Sequence, residues 1–345
     1  MRIIKHNIFI GVCVFLFFSS CVKDKPDEDH STTTIDHGVY IVNEGNFQFG
    51  NASVSYYNES KNTVQEDLFQ SANNKALGDV AQSMMVYNSK AYVVVNNSGK
   101  IEVLDPQTFV ISATINGFNS PRFFLPVSTN KAYVSDYKSN SISIVNLNTN
   151  MISGSIPCSG WTEEMVFTAG KVFVCNKYRD KVYVLNTSTD QISDSIVVGY
   201  SSTSIRVDKN GKLWVLCGGD AQNNIPGTLY RIDPNTYNVE KTFPFQPSNY
   251  PWRMEMNGAS DTLYYLNTGV YRMTISDSSL PTSALITEGN RNFYALGIHP
   301  NTSVVYVSDA MDYVQKSTIY RYTKDATLIN TFKAGIISTD FYFTQ

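Results

Sequence analysis

One short run recurs along the chain, an aromatic residue followed by β-branched or apolar ones. It reads VYIVN at 39–43, AYVVVN at 91–96, AYVSD at 132–136, VFVCN at 172–176, LWVLC at 213–217, LYYLN at 263–267 and VYVSD at 305–309. The aromatics Tyr40, Tyr92, Tyr133, Phe173, Trp214, Tyr264 and Tyr306 are 52, 41, 40, 41, 50 and 42 residues apart. A period of about 40–50 residues is that of a propeller blade. The unit 131–168 shows the content of each repeat. AYVSD is a strand, SISIVNL alternates as a second, NTN turns into a third, MISGSI, and EEMVFT is a fourth. Four antiparallel strands make a blade, named A to D from the centre outward. The aromatic run is then strand B, and SMMVY, FFLPV, EMVFT, SIRVD, RMEMN, YALGI and FYFTQ are the A strands. The chain starts its repeats on a B strand and ends on an A strand. One blade must therefore be completed by the C-terminal strand, which leaves no open sheet edge. The expected fold is all-β: a closed seven-bladed propeller over 38–345.

The segment before it has a different character. Arg2 and Lys5 precede the apolar run IFIGVCVFLFF, which is too short to span a bilayer and ends in Ser19-Ser20-Cys21. Residues 1–20 read as a lipoprotein signal, with Cys21 as the lipidated residue. Residues 21–37 are charged and carry a proline, and read as a tether that cannot bury enough apolar surface to order itself. Of 27 Lys and Arg, two leave with the signal, so 25 face 30 Asp and Glu, a net charge near −5. No basic stripe suits nucleic acid. Cys158, Cys175 and Cys217 remain, an odd number with no CxxC or Cys/His pair for zinc, and Cys175 and Cys217 lie within apolar strands.

Histidine is scarce. His6, His30 and His37 precede the propeller, and only His299 lies within it, in an A–B turn. A His-based triad or metal site has little to build from, and no enzyme is expected. Paired carboxylates at Glu163-Glu164, or Asp309 with Asp312, are the remaining catalytic candidates. No D-x-D-x-D-G loop points to calcium. Gly45 and Gly50 in NEGNFQFGNAS have a phosphate-loop spacing, but Asn51 and Ala52 follow in place of Lys and Ser/Thr, and a strand follows in place of a helix. This loop is the first B–C connection, with its glycines as hinges.

In a propeller the D–A and B–C loops gather on one face around the channel. Here they carry Phe47, Phe49, Asn97, Phe118, Arg122, Tyr137, Trp161, Tyr178, Arg179, Tyr200, Tyr250, Trp252, Arg291, Phe293 and Tyr313. Aromatics give contact area at low entropy cost, and amides and Arg fix orientation, so the set reads as a ligand-binding face. A corrinoid or a glycan would suit it. A polar residue also recurs at or near the end of strand B: Asn43, Asp136, Asn176, Asn267 and Asp309. It is either a cap on the B–C turn or a polar ring at the channel mouth.

The KVFVCN…KVYVLNTSTDQISDSI unit resembles the YVTN propeller repeat. The blocks NEGNFQFGNASVSYYN, LGDVAQSM, GFNSPRFF, YALGIHPN and VYVSDAMDYVQKSTIYRY resemble the surface-layer-type propeller lipoproteins of Bacteroidota, most of all the BtuG vitamin B12-binding lipoproteins. That resemblance implies a lipid anchor in the outer membrane, facing outward. It also implies capture of cobalamin, as a ligand and not a cofactor, and its delivery to a TonB-dependent transporter of BtuB type. The alternative is a glycan- or protein-binding propeller serving another uptake system.

Overall fold

A computed structural model of the protein describes residues 38–344. The signal at 1–20, Cys21 and the tether to residue 37 lie outside the described residues. The expected fold is present: seven sheets of four strands, each wholly antiparallel. Their A strands are Ser338–Phe343 in blade I, then Ala81–Tyr87, Pro121–Ser128, Thr162–Thr168, Ser202–Val207, Trp252–Met256 and Phe293–Ile298 in blades II to VII. Blade I is closed as expected. The C-terminal strand pairs with Gly38–Asn43, with Tyr40 opposite Tyr342.

Each sheet is covered on both faces by its neighbours, so its B strand is apolar throughout instead of alternating. GVYIVN and LWVLC are buried at every position, whereas the D strand QISDSIV is mostly exposed. The hydrophobic core lies between blades: Tyr40 and Val42 of blade I pack with Ala91, Val93 and Val95 of blade II. The periodic aromatics fill these seams, none more than 2% exposed. Three of them also staple blade to blade. The hydroxyl of Tyr40 donates to the Pro106 carbonyl of blade II, that of Tyr133 to Asp190 of blade IV, and that of Tyr306 to Glu59 of blade I. The repeat thus marks the residue that joins each blade to the next.

The structure adds one six-residue helix, Leu68–Asn73, which the strand pattern did not predict. It fills the longer first D–A connection by burying Leu68 and Phe69 in the blade I–II core. Cys158, Cys175 and Cys217 are all free and buried.

Candidate functional site

The A strands share one irregularity. In all seven blades the A–B pairing slips near the loop-face end of the A strand, a β-bulge. A bulge re-aims the extra residue's side chain. The extra residues are Gln82, Arg122, Glu163, Thr203, Arg253, Tyr294 and Thr339, all polar. Their contacts place them around the channel mouth. Arg122 pairs with Glu163 of blade IV at 3.1 Å and donates to Gln82 of blade II. Arg253 of blade VI donates to Thr339 of blade I at 2.8 Å, reaching past blade VII. Tyr294 donates to Glu44 at 3.0 Å.

A second set of polar groups lies deeper. Arg206 bridges Glu164 and Glu255, and Asp340 accepts from the Met84 amide at 3.1 Å. Burial raises the proton affinity of Glu255 and Asp340, opposed by Arg206 and Arg253 respectively. Residues from every A strand enclose a cavity of about 200 Å³ here. Drug-sized ligands occupy about 300–1,000 Å³. The channel therefore admits a small group, and anything larger must lie across its mouth.

The aromatic loop residues form two groups on that mouth. On blades III to V, Trp161 packs against Tyr137 at 4.0 Å between ring centroids and edge-on to Tyr178 at 5.3 Å. Gly160, at φ +103°, sets this up: a Cβ there would meet the Asn176 side chain at 2.7 Å. Lys177 lies 4.2 Å above the Trp161 ring and Arg122 lies 5.5 Å from it. Tyr200 is half-buried nearby. Burial pulls the Lys177 pKa down; Glu163 opposes this, and Arg122 and Arg253 add to it.

The second group spans blades VII, I and II. Gly45 and Gly50, with φ of +71° and +64°, turn the first B–C loop, and Asn46 and Asn51 bond to each other across it. Phe47 and Phe49 are left 60% and 78% exposed at its tip. The loop is tied on both sides. Asn46 donates to the Tyr313 carbonyl at 2.6 Å, and Asp79 accepts from the Gln48 amide and from Asn97. Met311, Tyr313 and Val314 extend the exposed apolar surface.

Some candidates lie elsewhere. Phe118 and Phe293 are not on the face: they are 7% and 1% exposed and plug the cores of blades II–III and VI–VII. Arg291 packs over Phe293 and Tyr320, bonded to Tyr322 and to the carbonyls of Thr287 and Glu288. Trp252 is half-buried against the same core, and Tyr250 is half-buried beside it in sequence. Arg179 is exposed on its turn. Glu163 and Glu164 are each held by an arginine. Three of the B-strand polar residues act as caps, whereas Asn43 bonds across the closing seam. Asp136 accepts from the amides of Lys138 and Ser139, Asn176 from Tyr178, and Asp309 from Met311. The bulge residues Gln82, Thr203, Arg253, Tyr294 and Thr339 are functional-face residues that the loop composition does not mark. Their signal is a polar residue in second place at each A-strand start: AQS, STS, WRM, FYA, STD. Among the described residues no cluster of three or more His, Cys, Asp or Glu is placed to hold a metal ion.

The family model described as a domain of unknown function, DUF5074, matches residues 37–343. The chain belongs to the DUF5074 family. No curated protein sequence matches it. Solved structures share the fold of this DUF5074 propeller. A quinonprotein alcohol dehydrogenase-like protein from Bacteroides thetaiotaomicron is 17% identical with a TM-score of 0.71, over 90% of this chain and 78% of that one. A 6-phosphogluconolactonase-like protein from Bacteroides fragilis is 12% identical with a TM-score of 0.66, over 91% and 99%. The dihydro-heme d1 dehydrogenase NirN in complex with DHE is 7% identical with a TM-score of 0.61, over 88% and 74%. Similarity to proteins so varied, at such identities, establishes the propeller of this DUF5074 protein and leaves its activity open.

Proposed function

We propose that the protein is a surface-tethered receptor with no chemistry of its own. It captures a corrinoid on the loop face and passes it to an outer-membrane TonB-dependent transporter. One observation carries this reading: two aromatic groups flank a polar channel mouth whose cavity, about 200 Å³, is too small for a large ligand. A broad, partly apolar macrocycle edged with amides matches that layout. Its faces meet Phe47, Phe49, Tyr137, Trp161 and Tyr178, and its edge amides meet the polar ring. The lipid anchor at Cys21, the outer-membrane location and the transporter partner rest on the N-terminal sequence and the family resemblance. Isothermal titration with cyanocobalamin tests the cargo. Saturable binding of one ligand per chain is expected, and heat equal to that of dilution overturns it. The Tyr137–Trp161–Tyr178 cluster also favours a second reading, stacking on sugar rings, which a glycan array would reveal.

A further inference from the structure

The channel mouth holds more hydrogen-bond donors than its own acceptors use. Gln82 is 1% exposed; its Oε1 accepts from Arg122, and its Nε2 has no partner among the described residues. The buried Nε1 of Trp161 is also unpartnered. Lys177 Nζ sits on the Trp161 ring and makes no hydrogen bond or ion pair among the described residues. Arg253 makes one side-chain hydrogen bond, to Thr339. The neighbouring carboxylates, by contrast, are engaged. Glu163 is held by Arg122, Glu164 and Glu255 by Arg206, and Glu44 by Tyr294. Buried polar groups are ordinarily satisfied, and each exception calls for a cause. Gln82 Nε2 and Trp161 Nε1 can only donate, the Thr203 hydroxyl can donate or accept, Lys177 is a cation, and Arg253 has further donors beyond its bond to Thr339, so an acceptor carrying negative charge fits them.

We infer that Lys177, Trp161, Gln82 and Arg253 form a subsite for an oxyanion, a phosphate ester or a carboxylate, on a ligand whose flat ring lies against Tyr137, Trp161 and Tyr178. The inference rests on the proposed reading of the loop face as the ligand face, and it adds the charge that the ligand carries. The aromatic cluster holds the ring at the rim, and the oxyanion reaches inward between Lys177 and Arg253. The short distance from Lys177 to Trp161 places charge recognition and stacking side by side. A ligand with only one of the two features makes half of the contacts.

The probe is 1-naphthyl phosphate, with 1-naphthalenemethanol as its uncharged counterpart. Both are titrated into the wild-type protein and into Lys177→Met and Lys177→Arg. The phosphate is expected to bind the wild type with an affinity that falls as salt rises. Lys177→Met should weaken it by about tenfold or more, the loss of one charge-assisted contact. Lys177→Arg should retain most of the affinity, and the alcohol should bind all three proteins alike. Absence of phosphate binding to the wild type, or equal binding by Lys177→Met, overturns the subsite. Neither titration contains a corrinoid. A failed cyanocobalamin titration would remove the cargo and leave this subsite, and a failed naphthyl phosphate titration would do the reverse.

Discussion

Replacing Asn43 with Ala probes the seam where the ring closes. Asn43 is fully buried and makes five side-chain hydrogen bonds. Its amide nitrogen donates to the Ile41 carbonyl and to the hydroxyls of Ser53 and Ser55, at 3.1–3.2 Å. Its oxygen accepts from the Gly335 amide at 3.0 Å and from the Ser338 hydroxyl at 2.6 Å. Those last two belong to the outer strand of blade VII and the closing strand of blade I, so a single side chain joins both ends of the chain. The fit is close: a Cβ at Gly335 would meet Asn43 at 2.4 Å. Truncation leaves the Gly335 N–H and the Ser338 hydroxyl buried without an acceptor, at about 1–3 kcal/mol each. A total of about 3–4 kcal/mol is expected. Unfolding entropy of about 2 cal/mol/K per residue over roughly 300 residues turns this into a Tm drop of about 5 °C. Asn176 holds the equivalent place in blade IV but bonds only to Ser159 and Tyr178 of its adjoining loops. Asn176→Ala should cost less than half as much. Differential scanning calorimetry of both variants decides it. A Tm for Asn43→Ala within about 1 °C of wild type, or a loss no larger than that of Asn176→Ala, would refute the closure role.

Other expectations follow from the same structure. Phe47→Ala combined with Phe49→Ala should leave Tm within about 1 °C, because exposed side chains contribute little to stability. It should weaken cyanocobalamin binding about tenfold or more; unchanged affinity would assign the loop to a partner or to nothing. Burial pushes the Cys158 thiol up to about 12, and Cys175 and Cys217 well above the ordinary range. Ellman's reagent should therefore miss all three in the native protein and count them only in guanidinium; rapid native labelling would contradict their burial. Asp340 holds its proton more tightly when folded, chiefly through burial. Its contribution to stability is therefore full below the ordinary carboxylate pKa of about 4 and is lost as pH rises through the folded value. Asp340→Asn should flatten the decline of Tm above about pH 4; an unchanged Tm–pH curve would sink this assignment.

The architecture was legible because its determinants are periodic. Each blade needs an aromatic at the same place to fill the seam to the next, and Tyr40, Tyr133 and Tyr306 also need a partner there. Chain closure followed from where the strand order begins and ends. The aromatic rim was legible in part. Tyr137, Trp161 and Tyr178 do meet, but Phe118 and Phe293 show that a loop aromatic can just as well fill an inter-blade gap. The ring of bulge residues was hidden for a physical reason. A bulge adds one residue to a strand without changing its composition, so Gln82, Thr203 and Arg253 read as ordinary alternating strand positions. Lys177 was passed over because a lysine in a turn is usually solvated; its seat on Trp161 comes from the packing of two loops far apart in sequence from Arg122 and Arg253.

The central claim is that cargo sits on the loop face across the channel mouth. Cyanocobalamin affinity should be compared between wild type, a Tyr137→Ala/Trp161→Ala/Tyr178→Ala variant, and a Lys324→Ala/Asp325→Ala variant on an exposed turn of the opposite face. The account predicts that the first variant weakens binding by about thirtyfold or more, the effect of losing a hot spot of about 2 kcal/mol. The second should bind as wild type does. Equal affinity in all three proteins, or a loss confined to the opposite-face variant, would contradict it.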